Sequence, residues 1–266
     1  MITILLFLVA GFAGGLLLGL VGVGIALVIV PFLTFILPGM GVPQDASPLI
    51  AVATCMAIVA VGSVSSVVSH TRLGNVNWAI VRTTIPGSVI GVLLGSMAVG
   101  FISGRVLQVL FAAFILYTSF NMLKGAGRQA AAPATEAGRA LYPLVGGLIG
   151  FAGSFIGAGG GIFMVPFLKS RGHAMASAVA TSTTIGLPVS IIGAIVYAAT
   201  KAPFQLHGMM GLIFLPAFIG LSIGSVLGAP LGAKLASIVP AAALRRAFGL
   251  LLLVIGARML LPMVLS

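Results

Sequence analysis

The chain has 266 residues, of which 60% are apolar and only 6% charged, against roughly 25% charged in an ordinary soluble domain. Its 13 Lys and Arg against 2 Asp and Glu give a net charge of +11, but these cations are scattered thinly between long apolar runs. That distribution excludes a soluble globular protein or a nucleic-acid binder and reads as anchoring at the faces of a membrane. With a single Cys, three His and two acids, neither a disulfide framework nor a thiolate-rich metal site can be built. No metal, no cofactor and no hydrolytic enzyme activity are expected.

In chain order, Met1 to Leu8 carries no basic start, and no clean small-residue cleavage pattern follows it, so it is expected to be a retained segment. The apolar stretch from about Ile4 to Leu37 would be a helix of ~50 Å, longer than the ~30 Å hydrocarbon layer, and a glycine cluster ahead of Pro31 predicts a break in it. Full-length spans are predicted at 47–70, 79–100 and 104–123. The polar stretch Lys124 to Arg139, with Arg128, Pro133 and Glu136 among small residues, predicts a linker over 124–140. A second broken stretch runs from about Leu141 to Leu168, again with a glycine cluster and then Pro166, and further spans are predicted at 175–199, 208–233 and 241–262.

The two sides of the linker resemble each other. Gly11-Phe12-Ala13-Gly14 recurs as Gly150-Phe151-Ala152-Gly153, and Val30-Pro31-Phe32-Leu33 as Val165-Pro166-Phe167-Leu168. Ala51-Val52-Ala53-Thr54 recurs as Ala178-Val179-Ala180-Thr181, and Gly91, Gly95 and Ser96 as Gly220, Gly224 and Ser225. Four signatures in one order predict a duplication, with a first membrane repeat over 1–123 and a second over 141–266. If each glycine-broken stretch returns to its own side, Arg72, Arg82, Lys124, Arg128, Arg139, Lys169, Arg171, Lys234, Arg245 and Arg246 are inside, and Arg105, Lys201 and Arg258 outside, 10 against 3. The alternative of single crossings gives 7 against 6, so the first arrangement is preferred. The expected fold is therefore an all-α integral membrane protein with two inverted repeats. Each repeat is a glycine-broken re-entrant hairpin, or two short helices, plus three transmembrane helices.

Hairpins entering from opposite faces bring Gly22 and Gly24, and Gly157, Gly159, Gly160 and Gly161, toward the bilayer middle. Glycine there lets a solute approach the main chain, and the amides opening a helix form an anion cradle. The competing reading is close packing of helices through small residues, which is the reading adopted for Gly91/Gly95 and Gly220/Gly224. Thr54, Thr181 and Ser182 supply hydroxyls beside the presumed tips; Ser and Thr in membrane helices otherwise bond back to the preceding turn. His70, Arg72 and Arg82 surround an interfacial Trp78 loop and could form an inner vestibule that collects anions. Asp45 and Glu136 lie outside every predicted span, which argues against a carboxylate proton relay and leaves the membrane potential, about 2.3 kcal/mol per charge per 100 mV, to drive an anion outward.

The duplicated glycine motif leading to Val-Pro-x-Leu, written out as Gly157-Ala158-Gly159-Gly160-Gly161-Ile162-Phe163-Met164-Val165-Pro166-Phe167-Leu168, resembles that of the TauE/SafE family of sulfite exporters and organosulfur-anion permeases. The Ala-Val-Ala-Thr segments, His70-x-Arg72-x-Gly74-Asn75-Val76 and the Gly91-x-x-x-Gly95 span agree with it. The first repeat departs from the pattern, having Ile25-Ala26 where the last two glycines would stand. The resemblance implies a bacterial inner-membrane exporter of sulfite or a related sulfur anion, with the bilayer and that anion as partners. Import of such an anion, a non-transporting scaffold and homo-oligomerisation stay open.

Overall fold

The computed structural model describes residues 2–21, 25–124, 141–202, 204, 206–236 and 241–264. Five α-helices precede the linker region: α1 (Ile2–Val21), α2 (Ala26–Ile36, continued by a 3₁₀ turn Leu37–Met40), α3 (Ser47–Arg72), α4 (Trp78–Val99) and α5 (Gly104–Leu123). Five follow it: α6 (Leu141–Ile156), α7 (Gly161–Ser170), α8 (Met175–Ala199), α9 (Leu215–Ala236) and α10 (Ala241–Val264). Helices α3, α4, α5 and α8 combine the length and hydropathy needed to cross a bilayer, and α9 and α10, of 22 and 24 residues, are as long. The protein is an all-α integral membrane protein. Of the predicted linker, Lys124 caps α5 and residues 125–140 lie outside the described residues.

One expectation needs correction. The span predicted at 208–233 begins seven residues late, because Gly208 and Gly211 take φ of 86° and 58° and fold residues 209–214 into a two-residue hairpin, Met209–Met210 against Ile213–Phe214. Such left-handed backbone cannot continue a right-handed helix. The breaks in the two long apolar stretches precede the prolines, as expected, and Pro31 and Pro166 lie inside α2 and α7. In the second half, the break falls wholly on the glycines before α7.

The two sets of five helices pack reciprocally. Helix α4 lies along α6, and α9 along α1, while α3 packs on α8 and α5 on α10. The close approaches are made by glycine. Gly87 abuts Pro143, Gly91 abuts Gly147, and Gly95 abuts Phe151 and Ser154, so α4 and α6 run parallel; a side chain at any of the three would meet main chain. In the same way Gly220 meets Phe7, Gly11 meets Leu221, and Gly15 meets Ser225, so α9 and α1 run parallel. Small residues at these seams let backbones touch, which is the main source of helix association where lipid is as apolar as leucine. Helices α5 and α10 run antiparallel, because Gln108 Nε2 donates to the Met259 carbonyl (2.9 Å) and Ser119 Oγ to the Gly249 carbonyl (2.7 Å).

Each broken stretch doubles back. The Tyr142 ring near the start of α6 meets Phe167 near the end of α7 edge-on at 6.1 Å, and Phe7 in α1 meets Phe32 in α2 at 6.5 Å in the same manner. Leu168, at the end of α7, is buried with Ile80, Val81, Tyr142 and Ala178, residues from the starts of α4, α6 and α8. One end of the bundle therefore carries Arg72, Arg82, Lys124, Lys169, Arg171 and Arg246. The other carries Arg105, Lys201 and Arg258, the last stacked on Phe35 of α2 at 5.1 Å.

Candidate functional site

The four-residue turn between α6 and α7 is held by three glycines in the left-handed region, Gly157 (φ 70°), Gly159 (58°) and Gly160 (81°). Gly157 and Ala158 both donate their amides to the Gly153 carbonyl, which closes α6, and Gly160 caps α7. Phe163 and Met164 donate their amides to the Gly160 carbonyl, which leaves the Gly161 and Ile162 amides without a carbonyl in the helix to bond, and the positive end of the α7 dipole opens at the turn.

Its neighbours fix its depth. A Cβ on Gly159 would stand 3.1 Å from the Gly186 carbonyl oxygen and 3.2 Å from Val59 Cγ1. Val59 and Gly186 sit near the midpoints of α3 and α8, the two longest helices. A Cβ on Gly157 would lie 2.9 Å from the Val52 carbonyl, and one on Gly160 2.6 Å from Ile149 Cγ2. These three glycines are buried and tightly packed. Gly161 differs: it is half-buried, has no left-handed φ, and its nearest neighbour to an added Cβ is the Ser182 carbonyl at 3.9 Å. The accessible side of the turn is the first residue of α7.

The hydroxyls around it divide sharply. Thr183 and Thr184 donate to the carbonyls four residues back, at 2.9 and 2.8 Å, and Ser190 donates to the Leu187 carbonyl. Ser182, 1% exposed on the α8 stretch that faces Gly161, has no hydrogen-bond partner for its Oγ. Thr54 and Thr181 do something sequence reasoning missed. The Phe214 amide, immediately ahead of α9, donates to Thr54 Oγ1 at 3.0 Å, and the Asn77 amide, immediately ahead of α4, donates to Thr181 Oγ1 at 3.0 Å. Each threonine accepts across to the other set of helices, and both side chains are buried.

Gly22 and Gly24 lie outside the described residues. Following them, Ile25 and Ala26 are buried side chains at the positions matching Gly160 and Gly161, and Ile25 is right-handed. Apolar side chains therefore stand in the first half at two positions that are glycine in the second. Arg72 and Arg82 are exposed at the basic end with His70, whose Nδ1 is buried without a partner, and a half-exposed Trp78 stands beside them. A shallow cavity of about 470 Å³, lined in part by Thr200, Lys201, Phe204 and Met209, opens at the opposite end of α8 and does not reach the glycine turn. Asp45 is exposed in the connection before α3, outside any helix. Cys55 is buried against Gly157, and among the described residues no cluster of three His, Cys, Asp or Glu could hold a metal.

Residues 7–259 match the family model described as sulfite exporter TauE/SafE. A probable membrane transporter protein of Haemophilus influenzae is 32% identical over 261 residues, 97% of this chain and 98% of its own length. A probable membrane transporter protein of Methanocaldococcus jannaschii is 29% identical over 72% of this chain and 70% of its own, and one from Xylella fastidiosa is 30% identical over 58% of each. No solved structure matches the chain.

Proposed function

The chain belongs to the sulfite exporter TauE/SafE family and is a membrane transporter, and from that premise we propose that it exports sulfite or a related sulfur oxyanion down the membrane potential. One observation carries the reading. Next to a turn packed at mid-length of the two longest helices, the amide-bearing start of α7 is half-buried at Gly161, and the neighbouring Ser182, whose carbonyl oxygen lies 3.9 Å from a Cβ added at Gly161, has a buried hydroxyl with no protein partner. An unpaired buried hydroxyl costs about 1–3 kcal/mol, and an oxyanion accepting its proton together with the α7 amides would recover that cost. No cation is needed in the bilayer core, where charge is expensive, and the anion stays weakly enough held to leave.

The repeats are inverted on this reading: α5 and α10 are matched and run antiparallel, and the glycine seams pair the first helix of each set with the fourth of the other. The end bearing Arg72, Arg82, Lys169 and Arg171 is then cytoplasmic, and His70, Arg72 and Arg82 form the mouth that gathers anions. With no carboxylate on a described helix, the potential alone supplies the drive, interior negative expelling an anion. The test is flux from proteoliposomes containing only this chain. Labelled sulfite should leave them, and other sulfur oxyanions should compete with it. Absence of flux for every sulfur anion tried would favour a scaffold role instead.

A further inference from the structure

The two cross-connecting threonines have a mechanical consequence. The glycine seams weld α4 to α6 and α9 to α1, since main chain meets main chain along them. Each welded pair is bonded to the central α3 and α8 through a buried threonine, the two threonines lying at opposite ends, and Tyr197 Oη near the far end of α8 also donates to the Ser154 carbonyl of α6 (2.8 Å), a contact about which that pair would pivot. Thr181 holds the start of α4 to α8 at the basic end, and Thr54 holds the start of α9 to α3 at the other. Each hydroxyl sits about 10 Å in from its helix end, between one mouth of the bundle and the glycine turn.

We infer that Thr54 and Thr181 are paired latches that decide from which face the glycine turn is reached. With both closed, as here, neither welded pair can swing from the central helices, and only the Gly161 side of the turn is left partly exposed. Releasing Thr181 from the Asn77 amide lets α4 and α6 swing from α8 and opens the basic end; releasing Thr54 from the Phe214 amide lets α9 and α1 swing from α3 and opens the opposite end. The two bonds are alike in length and in kind, one toward each end, as a carrier that must open to both faces requires. The threonines are positioning residues in this role, since they act through the helices they hold. The inference rests on the chain being a transporter and is indifferent to which anion it carries.

The native thiol is the reporter. Cys55 is buried beside Thr54, and its Cβ would lie 3.4 Å from a Cβ placed on Gly157. In oriented membrane vesicles, a small membrane-impermeant thiol reagent is applied from one face at a time. Thr54→Val should raise Cys55 labelling from the face opposite the basic end about fivefold, the factor set by one hydrogen bond of about 1 kcal/mol, and leave labelling from the basic face unchanged. Thr181→Val should do the reverse, and Thr54→Ser and Thr181→Ser, which keep the acceptor oxygen, should label as the wild type does. Equal changes at both faces, no change at either, or serine variants that behave like valine would overturn the inference. Labelling needs no substrate, so these outcomes stand whether or not sulfite flux is found.

Discussion

At the scale of single residues, Gly160 and Gly161 are neighbours with opposite tolerances. Gly160→Ala places a Cβ 2.6 Å from Ile149 Cγ2 on a residue whose φ is 81°, and should destabilise the protein by about 2 kcal/mol or more, read as a lower melting temperature in detergent. Gly161→Ala, at the first position of α7, meets only an ordinary van der Waals contact with the Ser182 carbonyl at 3.9 Å. It should melt no lower than the parent, while its methyl group, standing on the accessible side, slows anion flux. A valine at Gly159 or Gly160 would also stop transport, but by collapsing the turn, so only the Gly161 variant separates an anion site from a packing site. Ser182→Ala removes a buried hydroxyl with no protein partner, so without anion the variant should melt no lower than the parent and up to the equivalent of about 1–3 kcal/mol higher. If that hydroxyl donates to a charged solute, half-saturation should rise about tenfold or more, because such a bond contributes about 1.5–3 kcal/mol. Equal half-saturation in both proteins would remove Ser182 from the site.

At the scale of elements, the glycine seams dominate. Gly91→Leu or Gly224→Leu would drive a side chain into the backbone of α6 or α1, and either should lower the melting temperature strongly, by the 1–3 kcal/mol or more that overpacking costs, with no effect confined to flux. Loss of transport at an unchanged melting temperature would contradict the seam. These seams also show what was readable from sequence. Gly91-x-x-x-Gly95 announces close packing by its spacing but not its partner. That α4 pairs with α6 and α9 with α1 emerges only in three dimensions. The ranges 104–123 and 175–199 agree with α5 and α8 because helix starts there are marked by Ser103, whose hydroxyl accepts from the Val106 amide, and by the polar Lys169–His173 break. The start of α9 was hidden, since Leu212, Ile213 and Phe214 are as apolar as any helix and only Gly208 and Gly211 mark the hairpin. The role of Thr54 and Thr181 was hidden more deeply. Their duplication singled them out as matched hydroxyls, but the amides they accept from lie 160 and 104 positions away.

At the scale of the whole molecule, two sets of five described helices embrace, with the glycine turn before α7 held against the midpoints of α3 and α8. On the proposed reading that turn is the binding point, and a carrier that opens to both faces can work with one such point. The energetics are set by charge. On the proposed reading a solute held by amides and a hydroxyl would carry its own negative charge through the field, and transport would move net charge. The most direct measurement is sulfite efflux from proteoliposomes on which a potassium diffusion potential is imposed at constant pH. Efflux should accelerate when the interior is made negative and slow when the sign is reversed. An efflux rate blind to the potential, yet raised by a pH gradient alone, would contradict the account.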